Sequence, residues 1–191
     1  MLRHMTRRLV QNRDLDGVVQ TILDDVIALL GAEYGNIQLP IGEELAIAAQ
    51  RGLSASFLKT FWRVRKDDGS ACGRALAAGL PVIIADIEKD EGFAVFRRDA
   101  RQAGFRAVQS TPMYTRHGHL FGIVSTHFAN VHEPTSLEMN TLKAYSRIAA
   151  EYAWMVLGES FEPLAAKAEH MSAELYDRAL IGGIRGAQSG R

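Results

Sequence analysis

The chain has 191 residues, enough for one domain with a substantial core and terminal arms. Its 22 basic and 22 acidic residues give a net charge of zero, which argues against nucleic acid as a partner because nucleic-acid-binding proteins present a basic face. No apolar run reaches the roughly 20 residues that span a bilayer, and no signal-peptide core follows the basic start, so we expect a cytoplasmic protein with no membrane partner.

The first part of the chain predicts helices on either side of a strand pair. A basic helical arm comes first, and Asp14 or Asp16 caps a helix that carries an apolar stripe and ends at Gly31. Two short helices follow the strand pair, and Ser54 and Ser70 precede them. The ranges are 3–13 for the arm, 34–39 and 45–50 for the strands, and 54–62 and 71–78 for the short helices.

The second part predicts a buried strand, a covering segment, a long strand pair and a closing helix. The run PVIIADI has the length and β-branched residues of a buried strand, and a charged, aromatic segment follows it up to Gly104. Thr135 or Ser136 caps the closing helix, with Glu138 placed as in a capping box. These elements predict an α+β fold: a central antiparallel sheet with terminal helices on one face and short helices and loops forming a pocket on the other.

The strand pair within residues 104–128 has a predicted register. If His117 and Gly118 form a two-residue turn, Ser110 lies opposite Ser125. The alternation of a strand then assigns each side chain to a face of the sheet. One face carries Val108, Ser110, Pro112, Tyr114, Phe121, Ile123, Ser125 and His127.

Ser110, Ser125 and His127 therefore converge among apolar residues. A few polar groups in an apolar surround are typical of a small-molecule site. They are equally typical of buried groups that backbone or water satisfies. Both interpretations stay open at this point.

Four blocks follow one another along the chain: CGRALAAGLPVIIADIEKDEGF, AGFRAVQSTPM, HLFGIVSTHF and the closing helix. In this order they resemble the GAF domain, a small-molecule-sensing domain of signalling proteins, and the resemblance covers roughly residues 14–157. RAVQSTP and STHF are most similar to the GAF domains found beside two-component histidine kinases. The resemblance implies a GAF domain over 14–157. The residues themselves predict a basic helical arm over 1–13, and Pro163 and a glycine-rich end predict a C-terminal extension over 158–191 that is partly helical and then flexible.

A more distant resemblance connects the chain with the bilin-binding GAF domains of phytochromes. Asp86-Ile87-Glu88 is similar to their Asp-Ile-Pro block, and Leu120–His127 is similar to their strand ending in histidine. The resemblance implies that His127 faces a ligand cavity. The matching region near Ala94–Phe96 lacks the bilin-attaching cysteine and its His-Leu element, so we expect no covalent bilin, nor do we expect haem on His127. The cofactor, if one exists, stays unidentified.

The candidate ligand-binding set combines the polar face with the segment expected to cover it. Asp86 either orients a ligand or caps the backbone at Glu88–Lys89. Arg97 either binds an anionic ligand or belongs to a solvated helix face. The set is Asp86, Phe93, Phe96, Arg97, Val108, Ser110, Ser125 and His127. No catalytic or metal-binding set is predicted.

The single cysteine, Cys72, bears on enzymatic activity. At a helix start it is either a reactive thiolate or a small buried hydrophobe. GAF-type free methionine sulfoxide reductases resemble this fold but cycle through several cysteines, so one cysteine does not support their chemistry. We therefore expect a protein that is not an enzyme, with a redox enzyme using Cys72 as an alternative.

The leading hypothesis is a GAF-type sensory domain that binds a small molecule under residues 86–102 and signals through its terminal helices. We expect a homodimer, because the closing helix carries Ala144, Ala153, Trp154 and Leu157 outside its main apolar stripe. The output partner would be a histidine kinase or another signalling protein, since no output module is present. The interaction-class alternative is a dimerisation scaffold without a physiological ligand.

Overall fold

A computed structural model of the chain describes residues 1–160 and 163–188. Within them, six strands form a single antiparallel sheet in the order β3-β2-β1-β6-β5-β4. The strands are β1 (Tyr34–Ile41), β2 (Glu44–Arg51), β3 (Arg63–Arg65), β4 (Val82–Ile84), β5 (Ala107–Tyr114) and β6 (Leu120–Phe128). The central position of β1 and β6 places the polar residues of both strands deep in the molecule.

Helices cover both faces of the sheet, and local sequence signals start and end several of them. They are α1 (Leu2–Leu9), α2 (Leu15–Leu30), α3 (Ala55–Phe61), α4 (Ala71–Ala78), α5 (Arg97–Ala103), α6 (Ser136–Ser160) and α7 (Leu164–Gln188), with a 3-10 helix over Glu91–Phe96 before α5. Asp14 caps α2 by accepting a hydrogen bond from Gly17 N at 2.8 Å. Thr135 and Glu138 exchange backbone-to-side-chain bonds of 2.7 and 3.2 Å, which confirms the predicted capping box.

Two hydrophobic cores lie on opposite faces of the sheet. The helical core packs α1, α2 and α6 on one face, with Ile22, Met113 and Tyr145 among its fully buried residues. The cover-side core packs α3, α4 and the 3-10 helix on the other face. This arrangement confirms the α+β prediction, with long helices on one face and short helices and loops on the other.

The register of β5 and β6 is confirmed through most of its length. Ser110 pairs with Ser125 and Val108 with His127. Toward the turn, however, Met113 pairs with Gly122 and Tyr114 with Leu120, so Phe121 is an extra residue in β6. Phe121 is fully buried in the helical core, and its predicted place on the Ser110 face is therefore wrong.

The connection between β5 and β6 is also longer than the predicted two-residue turn. Thr115 N donates to His119 O at 2.9 Å, and Gly118 N donates to Thr115 O at 3.0 Å. Gly118 has a φ of 82°, a left-handed conformation that favours glycine. The five-residue connection from Thr115 to His119 accommodates the register shift that Phe121 introduces.

The terminal helices cover most of the apolar area that the sequence assigned to a dimer. Ala153 and Leu157 of α6 are buried in the same core as Leu9 of α1 and Met171 of α7. Trp154 is half-buried and its ring stacks on His119 at 5.1 Å, whereas Ala144 is exposed.

Among the described helices, none is both long and apolar enough to cross a membrane. Residues 189–191, part of the end predicted to be flexible, lie outside the described residues.

Candidate functional site

A small cavity lies between the sheet and the cover-side helices. Its sheet wall comes from β1, β5 and β6, and its cover comes from α3, the start of α4 and the 3-10 helix. The lining residues are Asn36, Gln38, Phe57, Phe61, Ser70, Ala71, Cys72, Phe93, Phe105, Val108, Ser110, Ser125 and His127. The volume is about 20 Å³, room for one water molecule.

Five of the eight candidate ligand-binding residues meet at this cavity. Phe93, Val108, Ser110, Ser125 and His127 all line it. Alternation along β5 and β6 therefore identified the polar residues that share this wall. The remaining three candidates, Asp86, Phe96 and Arg97, lie elsewhere.

Phe96 lies behind the cavity wall instead of lining it. Its ring contacts the rings of Phe61 and Phe93 at centroid distances of 5.0 and 5.7 Å. Both of those rings line the cavity. Phe96 therefore supports the aromatic cover from outside.

Asp86 is buried beside Arg106, away from the cavity. The Arg106 guanidinium donates to both carboxylate oxygens, at 2.6 and 3.1 Å, and Glu88 N donates to Oδ1 at 3.0 Å. The hydrogen bond from Arg106 holds the pKa of Asp86 below its usual value, against the opposing effect of desolvation. The geometry matches the backbone-capping interpretation of Asp86 and fixes the start of the covering segment.

Arg97 is committed to the covering segment as well. Its Nε donates to Ile87 O at 2.9 Å, and its Nη2 donates to Asp90 O at 3.1 Å. Two ion pairs also hold this segment: Arg74 with Asp90, at 2.8 Å, ties it to α4, and Arg101 with Glu88 ties its two ends to each other. We call residues 86–102 with these ion pairs the latched segment.

The sheet wall of the cavity is polar but uncharged. The Ser110 and Ser125 hydroxyl oxygens lie 2.8 Å apart and share a hydrogen bond. Burial lowers the pKa of His127 to about 3, although a hydrogen bond with the Tyr34 backbone opposes this shift. The imidazole is therefore neutral at physiological pH, and the rings of Phe57 and Phe105 meet it edge-on at 5.2 and 4.6 Å.

Asn36 and Gln38 are cavity residues that the sequence did not identify. They lie two residues apart on β1, and Asn36 pairs with Ser125 across the sheet. Gln38 Nε2 donates to Phe61 O at 3.3 Å, whereas Gln38 Oε1 has no hydrogen-bond partner. In the sequence, Asn36 and Gln38 alternate with the apolar Ile37 and Leu39, and this pattern could have predicted that both polar residues share one face of a buried strand.

The cavity therefore gathers three buried polar atoms that have no partner: Asn36 Oδ1, Gln38 Oε1 and His127 Nδ1. Buried polar groups are normally satisfied by protein or by ordered water. All three atoms are acceptors, and one water molecule has only two hydrogens to donate, so a single water in the cavity leaves one of them unsatisfied. The arrangement can accept hydrogen bonds from a ligand held among phenylalanine rings.

Cys72 lines the cavity but is not arranged as a nucleophile. Its side chain is buried and its Sγ lies 3.4 Å from Ser70 Oγ. Burial raises the pKa of the thiol to about 11, so the thiolate is scarce at neutral pH. This environment matches the interpretation of Cys72 as a small buried hydrophobe.

The chain matches a known family of domains. A family model described as "GAF domain" matches residues 12–153, most of the chain. A comparison with curated proteins finds no significant match.

Three solved structures illustrate the range of proteins with a similar fold. A domain of a putative two-component sensor histidine kinase from Sinorhizobium meliloti is 16% identical, with a TM-score of 0.60, covering 75% of this chain and 92% of that one. The chromophore-binding domain of an unusual bacteriophytochrome from R. palustris is 16% identical, with a TM-score of 0.62, covering 84% and 62%. A free methionine-R-sulfoxide reductase from Neisseria meningitidis, in complex with its substrate, is 15% identical, with a TM-score of 0.66, covering 83% and 89%. At these identities the likeness concerns the fold alone.

Proposed function

Because the chain belongs to the GAF domain family, we propose that it is a non-catalytic sensory or regulatory domain that binds a small molecule beneath the latched segment. The observation that carries the proposal is the cavity with three unpartnered polar atoms, Asn36 Oδ1, Gln38 Oε1 and His127 Nδ1. The family membership and the likeness to a histidine kinase domain support a signalling role. A cytoplasmic location and a histidine kinase or similar output partner belong to the same proposal.

The cavity as it stands is too small for a metabolite, so binding must be coupled to movement. Small-molecule sites usually have volumes of about 300–1,000 Å³. A ligand must therefore displace the phenylalanine cover and with it the latched segment. Ligand binding then selects a minor, open arrangement, and its free energy shifts the population toward that arrangement.

The cavity also indicates the chemistry of the ligand. The lining residues include no charged side chain, and the three unpartnered atoms are suited to accept hydrogen bonds. The surrounding phenylalanine rings favour a flat apolar body. A small aromatic amide or a similar hydrogen-bond donor fits these features.

The first test uses benzamide as the probe in an NMR titration of backbone amide signals. We expect shifts at cavity residues, and we expect His127→Leu and Gln38→Leu to weaken binding by about 1–3 kcal/mol, since each leaves ligand donors unpaired. His119→Leu, at the exposed connection between β5 and β6, is the matched control and should bind as the parent does. Absence of shifts at the cavity with benzamide and related aromatic amides and amines would favour the scaffold without a ligand.

We further propose a homodimer that uses the outer face of α6. Leu137, Ala144 and Met155 share this face, because Ala144 lies close to two and Met155 close to five full helical turns after Leu137. Leu137 is 77% exposed and Met155 is 50% exposed, and Ala144 between them is also exposed. Exposed apolar stripes of this kind are typical of interfaces. This face replaces Ala153 and Leu157 as the support for dimerisation.

We expect a dimer mass in light scattering at high protein concentration, and a monomer mass for Ala144→Arg, because two like charges would meet at the interface. The matched control is Ala77→Arg, because Ala77 is an exposed alanine of α4, a helix on the opposite face of the sheet. The control variant should remain dimeric. A monomeric parent protein would remove the homodimer from the proposal.

The alternative of a redox enzyme is less well supported. The Neisseria reductase shows that the fold can carry catalysis. In this chain the single cysteine is buried and its thiol pKa is raised to about 11. A buried, protonated thiol without a second cysteine supports a binding role for the cavity.

A further inference from the structure

A second, much larger pocket lies outside the cavity beneath the latched segment. It is bounded by α6, the end of β5 with the connection that follows it, and the loop between α4 and β4. Its volume is about 530 Å³, within the usual range of about 300–1,000 Å³ for small-molecule sites. We call it the α6 groove. Unlike the first cavity, it can hold an organic molecule without rearrangement.

The α6 groove has apolar walls. Leu80 and Pro81 form one side, Tyr114 lies at the end of β5, and Leu142 forms part of the α6 side. Gly79 ends α4 in a left-handed conformation, and Leu80, the next residue, is 65% exposed. Apolar area left open beside a concave surface is typical of a binding site.

The rim of the groove is positively charged. Arg116, Lys143 and Arg147 line it, and the lining includes no acidic residue. Lys143 and Arg147 lie four residues apart on α6, a like-charge spacing that destabilises a helix. Among the described residues, none forms an ion pair with either side chain. The nearby Glu151 carboxylate instead accepts the backbone N–H of Arg116.

A buried hydroxyl adds a polar group inside the groove. Ser146 lines the groove, is 3% exposed, and its Oγ has no hydrogen-bond partner. It lies on α6 between Lys143 and Arg147 in sequence. A polar atom that is buried without a partner calls for a water or a ligand atom.

We propose that the α6 groove binds a small amphipathic anion, with the apolar body between Leu80 and Leu142 and the anionic head toward Lys143 and Arg147. The cations supply charge complementarity to a carboxylate or a phosphate, and the apolar walls select against small inorganic anions. One wall of the groove is α6, so occupancy stabilises the helix whose Lys143–Arg147 repulsion it relieves. The proposal is independent of any ligand beneath the latched segment.

The test is calorimetric and NMR titration of the full chain with octanoate and n-octyl phosphate. We expect saturable binding of at least one, with amide shifts at groove residues, and much weaker binding of octan-1-ol and of acetate. The tighter of the two amphiphiles identifies the preferred head group. Equal affinity for octan-1-ol and octanoate would overturn the proposal, because the cations would then contribute nothing.

Two matched double variants test the role of the rim charges. Lys143→Gln with Arg147→Gln should weaken binding at least tenfold. Arg3→Gln with Arg7→Gln removes the same charge from an exposed pair of identical spacing on α1, and it should change affinity less than twofold. Leu80→Glu should also abolish binding, while circular dichroism reports an unchanged fold. Equal weakening by both double variants, or none by the groove variant, would overturn the proposal.

Discussion

Lowering the pH from 7 to 5 is expected to reduce the free energy of unfolding of the parent protein by about 2 kcal/mol more than that of a His127→Leu variant. The folded-state pKa of His127 is about 3, because burial disfavours the imidazolium, whereas an unfolded histidine has a pKa of about 6.5. The unfolded state therefore binds more protons below pH 6.5. Stability is lost as the pH falls through the window between these two values.

The measurement is urea unfolding of both proteins at pH 7 and at pH 5, monitored by circular dichroism. His119→Leu, which removes an exposed histidine outside the cavity, serves as the control. Identical pH dependence in the parent protein and in His127→Leu would mean that His127 is not buried in the neutral form. In that case the His127 imidazole in the cavity wall would have a different protonation state.

Asp25→Ala is expected to destabilise the protein by about 3 kcal/mol, because it breaks a buried hydrogen-bond network. Asp25 is buried at the junction of three helices, where it accepts hydrogen bonds from Arg8 of α1 and from Tyr145 of α6, the latter at 2.7 Å. The substitution leaves the fully buried Tyr145 hydroxyl without its acceptor. It also removes the contact that ties α1 to α2.

Asp24→Ala is the matched control one residue away. Asp24 pairs with Arg51 at 2.7 Å, but both side chains are about 40% exposed, so the loss should stay below about 1 kcal/mol. Asp25→Asn should fall between the two variants, because an amide still accepts the Tyr145 hydrogen bond but carries no charge for Arg8. Chemical denaturation of the three variants measures the differences. Equal losses for Asp24→Ala and Asp25→Ala would contradict the buried network.

Local and periodic features were predictable from the sequence. The caps at Asp14 and Thr135 depend on bonds within three residues, and the Ser110–Ser125 pairing follows from alternation in two adjacent strands. The same locality explains the error at Phe121. One extra residue leaves the alternation on either side intact, so only its burial in the helical core reveals it.

Contacts between distant segments were not predictable in the same way. Asn36 reaches the cavity because β1 pairs with β6, about 90 positions later in the chain. The sequence analysis predicted that Leu157 packs against a second subunit. In the structure α1 and α7 cover it, and nothing in the sequence shows that these helices reach it. The size of the cavity depends on how closely the phenylalanine rings pack, which composition does not reveal.

The latched segment also makes ionic strength a control on access to an uncharged cavity. The ion pair that ties it to α4, between Arg74 and Asp90, and the pair that ties its two ends together, between Arg101 and Glu88, are both partly exposed to solvent, where the Debye length falls from about 10 Å at 0.1 M salt to about 3 Å at 1 M. Added salt therefore weakens the fastenings while leaving the cavity wall unaffected. A neutral ligand would enter faster at high salt, although no charge takes part in holding it.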